Sequence, residues 1–72
     1  MKSVPITTEY IKLQDLLKLE SLVATGGEAK LVILDGLVTV NGEVCTQRGK
    51  KIRPGDAVRY RDAELTVAYA DR

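Results

Sequence analysis

Histidine is absent, and with it the commonest general base and metal ligand. Phenylalanine and tryptophan are absent too, leaving three tyrosines as the only aromatic rings. So few rings argue against recognition through a broad base-stacking platform. Cys45 is the single cysteine, so an internal disulfide and a cysteine pair for zinc are both excluded. With no histidine to act as its base, Cys45 reads as a small half-buried apolar residue rather than a nucleophile. The carboxylates are scattered singly, and no phosphate loop ending in Gly-Lys-Ser/Thr is found. No N-terminal apolar run follows Lys2, because Ser3-Val4-Pro5-Ile6 gives way to Thr7, Thr8 and Glu9. No stretch approaches the roughly 20 apolar residues of a membrane span. These absences predict a cytoplasmic protein that is not an enzyme, with no metal, cofactor, membrane or small-molecule substrate.

What is present is one domain's worth of chain, 72 residues, read as a single domain over 1–72. A chain this short buries only about 60% of the surface it exposes when unfolded, so its core is thin. A deep catalytic cleft would be hard to enclose. The formal net charge of +1 hides an uneven distribution. Between Gln47 and Arg61 lie Arg48, Lys50, Lys51, Arg53, Arg59 and Arg61, opposed only by Asp56. That window carries a local excess of five positive charges, and the rest of the chain an excess of four carboxylates. Polyanion binding follows local potential rather than the total.

Hydrophobic spacing divides the chain at Gly36. Leu13, Leu16 and Leu17 recur at helical intervals and predict a short first helix. Thr25-Gly26-Gly27-Glu28 fits a capping box, Ala29, Val32 and Ile33 form an apolar face, and Asp35-Gly36 supplies the stop. A second helix from about Gly26 to Asp35 is expected. Beyond Gly36 the pattern alternates. Val38 and Val40 share a face, Asn41-Gly42 signals a two-residue hairpin into Glu43-Val44, and Pro54-Gly55 marks a turn. Val58 and Tyr60, then Leu65, Val67 and Tyr69, alternate with polar or small residues. The predicted class is α+β, two short helices packed on a small antiparallel sheet.

The run from Thr25 to Ile33, followed by Asp35-Gly36-Leu37-Val38-Thr39-Val40-Asn41-Gly42, resembles the RNA-binding domain named after small-subunit ribosomal protein four, the alpha-L motif. The later Ile52-Arg53-Pro54-Gly55-Asp56-Ala57-Val58 is similar to that domain's closing strand, and the likeness spans roughly Leu13 to Tyr60. Within the family it extends to small free-standing bacterial proteins of the YbcJ and YaaA type. The features shared with these are Leu17-Lys18-Leu19, the Gly-Gly pair and the basic Arg48-Gly49-Lys50-Lys51. The resemblance implies RNA binding, and association with the ribosome, by a domain that has no catalytic portion. One position departs from the family pattern, since many members carry an arginine before the second helix where this chain has Gly27.

The candidate RNA-binding residues fall in two groups. Thr25, Gly26 and Gly27 open a helix whose unpaired N–H groups favour an anion, and two glycines let a phosphate come close. The plainer explanation is a tight interhelical turn that needs glycine. Lys18 and Lys30 flank this helix start. Arg48, Lys50, Lys51 and Arg53 are the densest charge, and a loop at Gly49 would let all four reach one ligand. Arg59 and Arg61 are read as sharing a strand face, either extending the patch or keeping an outer face soluble. Asn41 is assigned to its turn, where a positive φ is required.

Scarce aromatics favour recognition of RNA shape and backbone, hence a structured RNA; the protein is expected to be a monomer. Two rivals differ in class. A β-grasp sulfur carrier would suit Val40-Asn41-Gly42-Glu43 and Gly55-Asp56-Ala57-Val58, but it needs a C-terminal Gly-Gly, and this chain ends Ala70-Asp71-Arg72. A protein–protein adaptor would set the basic face against an acidic partner.

Overall fold

The computed structural model describes residues 2–70. Asp71 and Arg72, on which the carrier alternative turned, lie outside the described residues. Two short strands open the chain, β1 (Lys2–Ile6) and β2 (Ile11–Lys12), and two helices follow, α1 (Leu13–Leu19) and α2 (Gly26–Leu34). The leucine spacing places Leu13, Leu16 and Leu17 on one face of α1, all fully buried. Both helices end in the same hydrogen-bond pattern. Ser21 and Leu22 donate to the Lys18 and Leu17 carbonyls after α1, and Gly36 and Leu37 donate to Ile33 and Val32 after α2. This double closure satisfies carbonyls left over by the helix and needs one residue in the left-handed region. Gly36 fills that place at φ 76°, whereas Ser21 fills it at φ 60° without glycine's freedom.

The start of α2 is the predicted capping box with one change of partner. Thr25 Oγ1 accepts from the Glu28 N–H at 3.1 Å, and Glu28 Oε1 accepts from the Ala24 N–H at 2.8 Å rather than from Thr25. Ala29, Val32 and Ile33 are buried as the spacing predicts. The outer face of α2 is also partly apolar, with Leu31 and Leu34 exposed beside Lys30.

After α2 the chain turns to strands β3 (Val38–Val40), β4 (Glu43–Val44), β5 (Lys51–Ile52), β6 (Ala57–Tyr60) and β7 (Ala63–Tyr69). Five strands form one sheet in the order β1-β7-β6-β3-β4, and β2 pairs with β5 in a separate two-stranded ribbon. The Asn41-Gly42 hairpin is present, with both residues at positive φ (53° and 86°), as the favoured two-residue turn demands. The strands foreseen beyond Gly36 pair antiparallel, Val40 facing Val58 and Val58 facing Leu65. The sheet as a whole is mixed, because β1 adds a parallel edge beside β7 with Val4 opposite Val67. Val4 and Ile6 alternate inward while Pro5 points out, and an edge strand tolerates a proline that a central one would not. An ion pair of 2.8 Å from Lys2 Nζ to Glu20 Oε1 ties this edge to the end of α1.

The inner sheet face (Val4, Ile6, Val38, Val40, Val58, Tyr60, Leu65, Val67) and the helix faces meet in one core, which Ile52 enters from the ribbon. No helix among the described residues is long and apolar enough to cross a membrane.

Candidate nucleic-acid interface

The ribbon brings most of the basic segment to one place. Ile11 pairs with Ile52 and Lys12 with Lys51. Side chains alternate across a strand, so the isoleucines share the inner face, where Ile52 is fully buried. Tyr10, Lys12, Lys51 and Arg53 therefore belong to the opposite, outer face. Lys51 Nζ lies 4.9 Å from the centroid of the Tyr10 ring, and Arg53 Cζ lies 5.7 Å from it. Both are within cation–π range, which offsets part of the repulsion among these cations.

The segment before the ribbon is held by α1. The helix start at Lys12 has no side-chain cap. The Leu13 N–H donates instead to the Lys50 carbonyl at 2.9 Å, and the Gln14 N–H to the Arg48 carbonyl at 3.1 Å. Two orphan donors of the helix are thereby satisfied by the basic loop itself. Lys50 in turn donates its N–H to the Gln47 carbonyl at 3.1 Å, closing a turn across Arg48 and Gly49. The loop expected at Gly49 is present. It places Arg48 in a turn, outside any strand alternation. Arg48, Lys50, Lys51 and Arg53 all stay exposed around the start of α1.

Among the described residues, none of these cations is in a direct ion pair. The ion pairs there are Lys2–Glu20 and Arg59–Glu64, and neither involves this patch. Lys12 and Lys51 stand directly opposite each other, an arrangement that destabilises a ladder. The positive end of the α1 dipole points into the same region.

Asp56, the one carboxylate in the basic window, is committed to the fold. Its Oδ2 accepts from the Arg53 N–H at 2.8 Å, and its Oδ1 accepts from Asn41 Nδ2 at 3.1 Å. The first bond closes the Arg53–Asp56 turn, in which Gly55 adopts φ 96°. Asn41 Oδ1 also accepts from the Ala57 N–H at 2.9 Å, so Asn41 serves both its hairpin and this turn. These bonds, with help from nearby Lys50 and Arg53, hold the Asp56 carboxyl below its usual pKa of 3.8. A carboxylate with a depressed folded pKa stabilises the fold above its unfolded pKa and loses that contribution as pH falls through the folded value. Asp56→Ala is expected to cost roughly 1–3 kcal/mol at neutral pH, from the donors it strands. The mutant should also lose less stability than the parent between pH 5 and pH 2. Urea melts across that range, giving equal pH slopes for both proteins, would contradict the assignment.

The remaining predicted residues form a second locale at the other end of α1. Seven residues of helix put the two ends about 10 Å apart. Lys18 lies one turn beyond Gln14 on the same face, so it extends the basic surface along α1. It borders a shallow depression with Glu28 and the residues joining the helices. Thr25, Gly26, Gly27 and Lys30 are all exposed there.

The glycine pair is not required by the turn. Neither glycine has a positive φ. A Cβ added to Gly26 would meet nothing within 4 Å, and one on Gly27 only Thr25 Oγ1 at 3.8 Å. The left-handed residue of the interhelical connection is Ser21. Glycine in a helix is worse than alanine by up to about 1 kcal/mol, so the fold alone gives no reason for the pair.

Arg59 and Arg61 do not share a strand face. Arg59 is on the outer face of β6, paired with Glu64 at 3.5 Å. Arg61 sits in the following turn at φ 58°, its guanidinium 5.2 Å from the Tyr60 ring. Cys45 is partly buried and packs against the core.

Lys12 and Tyr10 were not among the candidates. Their sequence signal is the pair of triplets Tyr10-Ile11-Lys12 and Lys51-Ile52-Arg53, each with an inward isoleucine. The pairing is too distant along the chain for local periodicity to reveal it.

Comparison with known proteins follows the same lines. Residues 4–68 match a family described as S4 domain. The chain is 41% identical over 58 residues to YbcJ of Escherichia coli (strain K12), covering 81% of this chain and 83% of that protein. It is 40% identical over 55 residues to the probable ribosome maturation protein RlbA of Bacillus subtilis (strain 168), covering 76% and 78%. The solution structure of E. coli YbcJ, described as revealing an alfaL motif involved in RNA-binding, superposes with a TM-score of 0.72 at 33% identity, over 94% of this chain and 87% of that one. The crystal structure of 30S ribosomal protein S4e from Thermoplasma acidophilum has a TM-score of 0.66 at 22% identity, over 89% of this chain and 34% of that one, which is a likeness of fold.

Proposed function

This chain belongs to the S4 domain family, and we propose that it is a non-catalytic RNA-binding module that grips structured RNA chiefly by its phosphates. In this reading residues 1–72 act as one domain, monomeric and cytoplasmic. The observation that carries it is the outer face of the β2–β5 ribbon. There Lys12, Lys51 and Arg53 crowd together, with Arg48 and Lys50 beside them, and among the described residues none of them is in an ion pair. A protein keeps such a cost when an external polyanion repays it.

The contact path begins at Arg48, Lys50, Lys51 and Arg53 and follows Lys18 toward the start of α2. Thr25, Gly26, Gly27 and Lys30 take a further phosphate there. The glycines that the turn does not need leave that backbone open to approach. A-form RNA hides its major-groove base edges in a deep, narrow groove and is recognised mostly through shape, phosphates and 2′-hydroxyls, which such a surface can read. The relatives support the partner class, since YbcJ's structure is described as RNA-binding and RlbA is named for ribosome maturation.

A salt titration tests the mode. If about four phosphates are neutralised, log affinity for a short RNA hairpin should fall against log salt with a slope near −3 to −4. An affinity that hardly changes with salt would rule out a phosphate grip.

A further inference from the structure

We infer that the hollow beside Tyr10 is a binding site for one unpaired nucleobase that carries an exocyclic amine. This rests on the RNA-binding reading and adds a base contact to it. Tyr10 stands at a boundary. Lys51 and Arg53 lie over its ring at 4.9 and 5.7 Å. Tyr10 also lines an open hollow of about 590 Å³ that runs from Thr7 to Lys12 and includes Asp15. The ring is half-buried, so its position is fixed while part of its surface stays accessible. The bend leading to it is steadied by the Thr8 hydroxyl, which donates to the Tyr10 carbonyl at 2.8 Å.

The two carboxylates of the hollow give the site its selectivity. Glu9 and Asp15 are exposed, and among the described residues neither is in an ion pair. Beside an incoming polyanion they are unfavourable, unless the ligand turns hydrogen-bond donors toward them. Adenine, cytosine and guanine carry amino groups on their base edges, and a carboxylate accepts from such a group. Uracil offers no amine, and its one Watson–Crick donor, N3–H, lies between two carbonyl oxygens that a carboxylate repels. A base stacked on Tyr10 has its phosphates within reach of Lys12, Lys51 and Arg53. The hollow and the basic ribbon thus fit the two ends of one nucleotide.

The test uses the full chain and a short RNA hairpin, either fully paired or carrying one bulged A, C, G or U. The parent should bind the A, C and G bulges more tightly than the paired hairpin and than the U bulge. Tyr10→Leu should weaken binding to those bulged hairpins by about 5- to 150-fold, the range for loss of one base–aromatic stack. The paired hairpin should lose far less, since it gives up only the ring's support of Lys51 and Arg53, and its retained binding also shows that the variant is folded. Tyr10→Phe keeps the ring and should retain the preference. Glu9→Gln combined with Asp15→Asn should erase discrimination against the U bulge. Equal parental affinity for paired and bulged hairpins, or an equal loss on both with Tyr10→Leu, overturns the base site and leaves the phosphate reading standing. Failure of every hairpin to bind removes both.

Discussion

Replacing Ile33 by Ala is expected to destabilise the fold by about 2–5 kcal/mol, the range for truncating a buried isoleucine to alanine. Ile33 has no exposed surface, and it sits on the helix that covers the sheet. The cost has two parts. Apolar atoms lose their transfer out of water, and the surrounding side chains cannot collapse fully onto the space left behind. A small domain is stable by only about 5–15 kcal/mol, so this one substitution consumes a large share. Val32, on the same face and slightly exposed at 8%, should lose less. Urea unfolding should show the midpoint falling for Ile33→Ala with the slope against denaturant unchanged. An unaltered midpoint would mean that the apolar face of α2 is not the one that covers the sheet.

Much of this architecture is written locally in the sequence. Leu13, Leu16 and Leu17, the Thr25–Glu28 box, Gly36 and the Asn41-Gly42 turn each act within a few residues of themselves, and each sets the element it predicts. Elements that depend on distant partners are a different matter. Strand β1 is stabilised by β7 at the far end of the chain, and its five residues have a pattern too short to separate from a loop. The β2–β5 ribbon has two paired residues on each side and exists because α1 docks its first N–H groups onto the Arg48 and Lys50 carbonyls.

The candidate site follows the same division. A density of positive charge is visible in composition alone, so Arg48, Lys50, Lys51 and Arg53 stand out without a structure. Their geometry is not visible. Tyr10 and Lys12 enter the surface through non-local pairing. Arg61 leaves the strand because the turn takes it, and Arg59 pairs with Glu64 through a register set by the β6–β7 hairpin. The Gly26-Gly27 pair shows the opposite case. Sequence leaves a structural and a functional explanation side by side, and the backbone angles remove the structural one.

Reversing both Lys50 and Lys51 to Glu is expected to abolish most RNA binding while leaving the protein folded. Both side chains are exposed, and the fold takes from Lys50 its backbone carbonyl and N–H, which glutamate also supplies, and a minor electrostatic contribution at Asp56, which the reversal gives up. At position 51 the reversal even relieves a conflict. Lys51→Glu faces Lys12 across the ribbon, so a like-charge pair becomes an opposite one, which favours the ladder by a few tenths of a kcal/mol up to about 1. Against this stand the lost Lys51–Tyr10 contact and the lost Lys50 charge near Asp56, so the melting temperature should change little. Binding responds in the other direction. A charged hydrogen bond to phosphate is worth about 1.5–3 kcal/mol, so losing two of them weakens binding by a hundredfold or more at moderate salt, roughly. The fall should be similar for every RNA sequence tried, because phosphates carry no sequence. Each contact removed should also flatten the salt slope by about 1. Arg59→Glu combined with Arg61→Glu changes the net charge by the same amount at a distance from the ribbon, and it should weaken binding far less. That comparison separates a local surface from a general attraction between a less basic protein and RNA. A folded Lys50→Glu/Lys51→Glu protein that binds as tightly as its parent, or a loss matched by the Arg59/Arg61 pair, would place the RNA elsewhere on the molecule.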